Sequence, residues 1–298
     1  MARWPCTAVA WDGLQPETNQ HVYGDVNGDG LCSVLVGHDD WVQATPSSGV
    51  FQDTNFALGF QCNTGNWADG AKPPSTIEDR EMTAYQALVH GRVTLPGGVP
   101  YAKNCPAPGA TVNGNLKIAA GDACALIGAT VRGNVEIEHD AILQVQYSTI
   151  RGNLDVDGAK SVVVDAASSI GGNFSANGAG GVGLAAPVGG NVQIAFTWGS
   201  LPGGNYVCSS NIAGNLSLAG SGPSGGFDVG SCQHCAAGNV IRGNAQIDLN
   251  LGAITFSRNT VNGNVQCYLD ASVVSGENSV TGHNSGECDG NVQIQCGP

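Results

Sequence analysis

The chain has 298 residues, of which 42% are hydrophobic and only 12% charged, and it contains 45 glycines. That mix is too apolar for a disordered chain and too glycine-rich for a helical bundle, and it suits many short strands joined by turns. The net charge of −13 would be repelled by phosphate backbones and anionic lipid, which argues against nucleic acid as a partner; no run of about eighteen apolar residues exists to insert into a membrane.

Eleven scattered cysteines point to disulfides made in an oxidising compartment, so the chain is expected to be secreted. The odd count leaves one cysteine free or paired between chains. The opening Met1-Ala2-Arg3-Trp4 reads as a mature start carrying an added Met.

The N-terminal region, residues 1–105, is expected to be irregular, to bind calcium and to cap one end of the C-terminal region. Asp25, Asn27, Asp29 and Ser33 offer side-chain oxygens at loop positions one, three, five and nine, with Gly30 at the turn and the Leu31 carbonyl at position seven. A hard Ca²⁺ ion needs such a tightly turned ring of oxygens. Val36 stands where a bidentate Glu usually closes the shell, which leaves Asp39 or Asp40 to complete it. The alternative is a plain Asx-rich turn.

Trp11-Asp12-Gly13, the Asp25–Gly30 loop and Leu35-Val36-Gly37-His38-Asp39-Asp40-Trp41 together resemble a calcium-binding segment of secreted bacterial proteins. That segment often lies beside zinc metalloproteases of the gametolysin-like or immune-inhibitor type. Phe60-Gln61-Cys62 with Ala68-Asp69-Gly70 resembles the next stretch of such proteins. No His-Glu-x-x-His occurs, so protease activity is not implied.

From residue 106 onward a Gly-Asn dipeptide recurs between apolar residues. Asn115, Asn134, Asn153, Asn173 and Asn191 follow one another at intervals of 19, 19, 20 and 18; Asn215, Asn244 and Asn264 come after 24, 29 and 20. A degenerate copy falls at His283 and a last one at Asn291. Self-similarity at this period marks a solenoid.

Apolar residues then fall into columns. One runs Leu116, Val135, Leu154, Phe174, Val192, Leu216, Ala245, Val265, and another lies two residues on, from Ile118 to Cys267. Further pairs, Cys124/Leu126, Leu143/Val145, Val162/Val164 and Val182/Leu184, and a fifth column, Val131, Ile150, Ile170 and Val188, complete each rung. Spacing by two is strand spacing, so residues 106–298 are expected to form an all-β, right-handed parallel β-helix with rungs of about nineteen residues. Gly-Asn at the corner is explained by tolerance of left-handed backbone, and stacked Asn amides are candidates for a ladder along the axis.

The same register places outward charges on neighbouring rungs. Glu136 and Asp155 are equivalent, as are Glu138 and Asp157; Lys117 precedes them, and Arg132 and Arg151 stack before their corners. Stacked carboxylates would lie roughly 5 Å apart and diagonal ones roughly 8 Å, which spans the separations glycosidases use. Crowding raises a carboxyl pKa, as a general acid requires. The bland alternative is a solvated polar face balanced by its cations. Later outward positions, Ser175, Gln193, Ser217, Gln246 and Gln266, are chemically quiet.

In the lengthened rungs, Trp198 and Tyr206 are either a platform for sugar rings or packing beneath a loop. Cys208 with Cys232 or Cys235 would clip the insertion. Cys232-Gln233-His234-Cys235 is at most half a zinc site. At the C-terminal end Cys267 and Cys288, close to one rung apart, are the best disulfide pair, with Cys296 nearby.

Val261-Asn262-Gly263-Asn264-Val265-Gln266-Cys267, Asn278-Ser279-Val280-Thr281-Gly282 and Gly286-Glu287-Cys288 also resemble uncharacterised secreted bacterial β-helix proteins, across roughly residues 110–298. The expectation for function is an extracellular structural, surface-binding or polysaccharide-binding protein that uses Ca²⁺. The alternatives are a polysaccharide hydrolase or lyase acting through Glu136, Glu138, Asp155 or Asp157, and a self-assembling fibre subunit.

Overall fold

The computed structural model describes residues 101–201, 204–230 and 237–289, with the backbone of four short strands nearer the N-terminus. These pair antiparallel, Cys6–Thr7 with Gln61–Cys62 and Val22–Gly24 with Ser33–Val36. The chain divides into two compact units, residues 1–109 with 122–127, and residues 110–121 with 128–298. In the described part of the first, Cys105 and Cys124 are joined by a disulfide with their Cα atoms 5.5 Å apart.

The second unit is the parallel β-helix. We number its rungs by their corners, from Asn115 (rung 1) through Asn264 (rung 8) to His283 (rung 9). The strands after those corners, from Leu116–Ile118 to Asn284–Gly286, form a nine-stranded parallel sheet, face A. A second parallel sheet, face B, runs in the same rung order from Ile142–Gln146 to Val273–Gly276. Two-residue strands before each corner form face C, as two four-stranded sheets bridged through Val188. Each strand pairs with its counterpart one rung away, as Leu154 does with Val135 and Phe174.

Every one of the apolar column residues is buried, and Phe174 and Ile137 are fully so. Strands closed on all sides by neighbouring rungs hide both apolar columns and backbone polar groups, which is why this glycine-rich chain sustains a continuous core. Cys267 and Cys288 are joined as expected, with Cα atoms 5.3 Å apart. Cys208 is also disulfide-bonded, whereas Cys232, Cys235, Cys296 and Asn291 lie outside the described residues.

The Gly-Asn corner has a different cause from the expected one. Its glycines are not left-handed. A Cβ on Gly133 would instead lie 2.3 Å from Asn115 Oδ1 and 2.6 Å from the Gly114 carbonyl oxygen. Close approach between rungs therefore demands glycine. The same Oδ1 accepts the Asn134 N–H at 2.9 Å, and the pattern repeats to the Asn264 Oδ1, which accepts the His283 N–H. The ladder is mainly amide oxygen to backbone N–H. It passes unbroken through the rungs of 24 and 29 residues, so the extra residues leave the register intact.

Left-handed residues occur one strand later, where face A turns toward face B. Gly121, Asp140, Gly158, Gly178, Phe196, Gly220, Leu249 and Leu269 occupy that corner. Backbone bonds such as Asp140 N–H to the Gly158 carbonyl and Leu249 N–H to the Tyr268 carbonyl align them from rung to rung.

Candidate functional site

Face A carries the outward column Lys117, Glu136, Asp155, Ser175 and Gln193, set in register by strand pairing. Lys117 Nζ lies 2.6 Å from Glu138 Oε1 and 3.3 Å from Glu136 Oε1, so one cation clamps two carboxylates of the next rung. The Ala120 N–H also donates to Glu138 at 3.1 Å. The Lys117 hydrogen bond, and then that backbone donor, hold the Glu138 carboxyl below its ordinary range, and the ammonium of Lys117 is raised in return. Glu138 is thus shifted away from what a general acid needs. Asp155 moves the other way, first by partial burial and then by the charge on Glu136. Asp157, outside this cluster, is exposed and pairs in register with Asn177.

The proposed calcium ligands Asp25, Asn27, Asp29, Leu31, Asp39 and Asp40 lie outside the described residues, as does the side chain of Ser33.

The two aromatic candidates separate. Tyr206 sits in the face B strand Asn205–Val207, its ring against Gly183, where a Cβ would come within 2.6 Å of it. Burial, and then the charge on Asp165, push its hydroxyl up to about 12. Tyr206 is a packing residue. Trp198 is 59% exposed, yet its indole N–H donates to the Gly178 carbonyl at 2.9 Å and its ring covers Gly180. The ring is held in place and presented to solvent.

Comparison of the chain with family models, curated proteins and solved structures gave no match.

Trp198 belongs to a larger feature that sequence patterning missed. Among the described residues, nine large hydrophobic side chains are exposed, and six of them are Phe196, Trp198, Leu249, Leu251, Tyr268 and Leu269. All six lie at or beside the left-handed corner of rungs 5, 7 and 8. Phe196, Leu249 and Leu269 have φ of 55°, 58° and 58°, a region where bulky residues are rare and cost about 1–3 kcal/mol each. In rung 6 Gly220 stands there, and the Phe196 ring lies across it; a Cβ would be 2.8 Å from that ring. The result is an apolar row along the axis. Two Leu residues and a Phe occupy positions that glycine fills without strain in rungs 1, 3 and 4. No signal for positive φ exists in a leucine, so the row was not legible from sequence.

Proposed function

We propose that this chain is a secreted, calcium-binding β-solenoid that acts as an extracellular structural or polysaccharide-binding protein. The observation that carries the binding role is the exposed apolar row of rungs 5–8. Contiguous apolar surface of this kind marks interaction sites, and aromatic faces such as Trp198, Phe196 and Tyr268 match the apolar faces of sugar rings. A ring already fixed by a hydrogen bond, as Trp198 is, loses little freedom on binding. Disulfides among the described residues fit an oxidising, extracellular setting. Calcium, held by the loop Asp25–Ser33 with Asp39 or Asp40, would order the N-terminal region.

One observation favours an enzymatic reading instead. Asp155, its pKa raised by partial burial and then by the charge on Glu136, has the start of a general acid's environment. The Lys117 clamp on Glu136 and Glu138 weighs against it.

Incubation with a panel of insoluble and soluble polysaccharides, scored for retained protein, new reducing ends and unsaturated products, separates the two. Retention without products is expected. Products that disappear on Glu136→Gln or Asp155→Asn would overturn the binding reading. The calcium assignment predicts a lower Tm in chelator; an unchanged Tm would count against it.

A further inference from the structure

Face C holds a second surface whose chemistry differs from the apolar row. Its outward column before each corner reads Arg132, Arg151, Gly171, Gly189, Ala213 and Arg242. Backbone bonds from each of these N–H groups to the preceding rung, as from Gly171 to the Ile150 carbonyl and from Arg242 to the Ile212 carbonyl, fix them as equivalent. With nothing larger than a methyl group at Gly171, Gly189 and Ala213, these positions line a shallow trough with a volume of about 410 Å³ that has Arg151 and Arg242 at its two ends. Thr149, Ser169 and Asn211 also line it. Among the described residues no carboxylate lines it. Four rung steps of roughly 4.8 Å place the end arginines roughly 19 Å apart, with Arg132 one rung beyond.

Among the described residues none of these three arginines forms an ion pair, and all three are exposed. In a chain of net charge −13 with 11 basic residues in all, three guanidinium groups in one line with no ion-pair partner among the described residues are a local reversal of sign. Guanidinium offers paired donors that match carboxylate and sulfate oxygens.

We infer that the face C trough binds a linear polysaccharide bearing carboxylate or sulfate groups, laid along the solenoid axis. The inference rests on the proposed polysaccharide-binding role and adds a separate site and the charge of the ligand. The glycine floor lets a flat ring approach the backbone, the guanidinium groups at either end take its anionic groups, and the Thr149, Ser169 and Asn211 side chains face its hydroxyls. Single-stranded nucleic acid fits less well, because no aromatic residue among those described lines the trough for base stacking. An acidic peptide cannot add as a strand, because the Gly171, Gly189 and Ala213 N–H groups are already bonded to neighbouring rungs.

The test is binding of the full chain to polygalacturonate and dextran sulfate, with methyl-esterified polygalacturonate, unsulfated dextran and oligo-dT as comparisons. The wild type should bind an anionic polymer more tightly than its neutral counterpart, and more weakly as salt rises. Arg151→Gln with Arg242→Gln should weaken that binding at least tenfold, whereas Lys160→Gln, a charge loss elsewhere, should not. Unchanged binding by the double variant would overturn the inference, as would preference for oligo-dT. Retention of neutral polysaccharides alone would sink the anionic trough and leave the polysaccharide reading standing. Retention of none would remove both.

Discussion

Rungs 1–3 and rungs 5–8 share one core and one Asn ladder but display opposite surfaces. The early rungs project Lys117, Glu136, Glu138 and Asp155 from or just beyond strands of ordinary backbone, and Lys117 bridges two of the three carboxylates. The later rungs are quiet on face A and instead push Phe196, Leu249 and Leu269 outward from left-handed corners. A charge cluster already held by a lysine clamp needs no ligand to explain it. Strained backbone that exposes apolar side chains is harder to explain by folding alone, and that difference points to the later rungs as the binding region.

Early and late rungs differ in the interior too, and the largest expected effect lies there. Behind the later rungs the buried Asn239 and Asn259 and the half-buried Asn278 form a ladder: Asn259 Oδ1 accepts the Asn239 N–H at 3.1 Å while its Nδ2 donates to the Val229 carbonyl at 3.0 Å. Rungs 2 and 3 place Ser148 and Ser168 at that position. Asn259→Ala strands several buried partners and should cost about 2–3 kcal/mol in chemical denaturation, against about 1 kcal/mol or less for Asn115→Ala on the exposed ladder. Equal losses would erase the distinction.

The next effect is alkaline. Tyr206 ionises at about 12 in the folded chain against 10.0 ordinarily. Its folded pKa is raised, so the neutral phenol favours folding and the stability it confers falls as pH rises from about 10 to about 12. Tyr206→Phe should flatten that part of a stability–pH curve, and ultraviolet titration should find one late tyrosine.

At the corner, Leu249→Gly relieves a left-handed leucine. It should stabilise the fold by about 1 kcal/mol while weakening polysaccharide retention. A variant that loses stability would show that the leucine is there for packing.

The smallest effects belong to the charged face. Asp155 has a raised folded pKa, so its ionised form costs stability above the ordinary carboxylate range. Asp155→Asn should raise Tm slightly at neutral pH, with the gain vanishing in acid. Glu138 is depressed by Lys117, so its contribution is present above its ordinary pKa and lost as pH falls through the depressed value; Lys117→Ala should remove it with little change in Tm.

The core was legible because spacing by two within a nearly constant period leaves few ways to stack Leu116, Val135 and Leu154. Cys267–Cys288 was legible for the same reason, being separated by close to one rung. The purpose of Gly133 was not, since a close approach to Asn115 in the neighbouring rung leaves no local mark. Arg242 stands two residues before Asn244 as Arg151 does before Asn153, and Asn239 five before Asn244 as Ser168 does before Asn173, so both columns were countable from the corners; what period alone does not give is which polar side chains stay exposed and which are buried. The acidic patch was correctly placed in register, but its Lys117 clamp depends on side-chain conformations that period alone does not give.

The most direct test sets the two regions against each other on whichever polysaccharide retains the wild type. Phe196→Ala with Trp198→Ala should weaken retention about tenfold, and Glu136→Gln with Asp155→Asn should leave it unchanged. Full retention by the first pair together with loss in the second would contradict the account and move the functional surface to the early rungs.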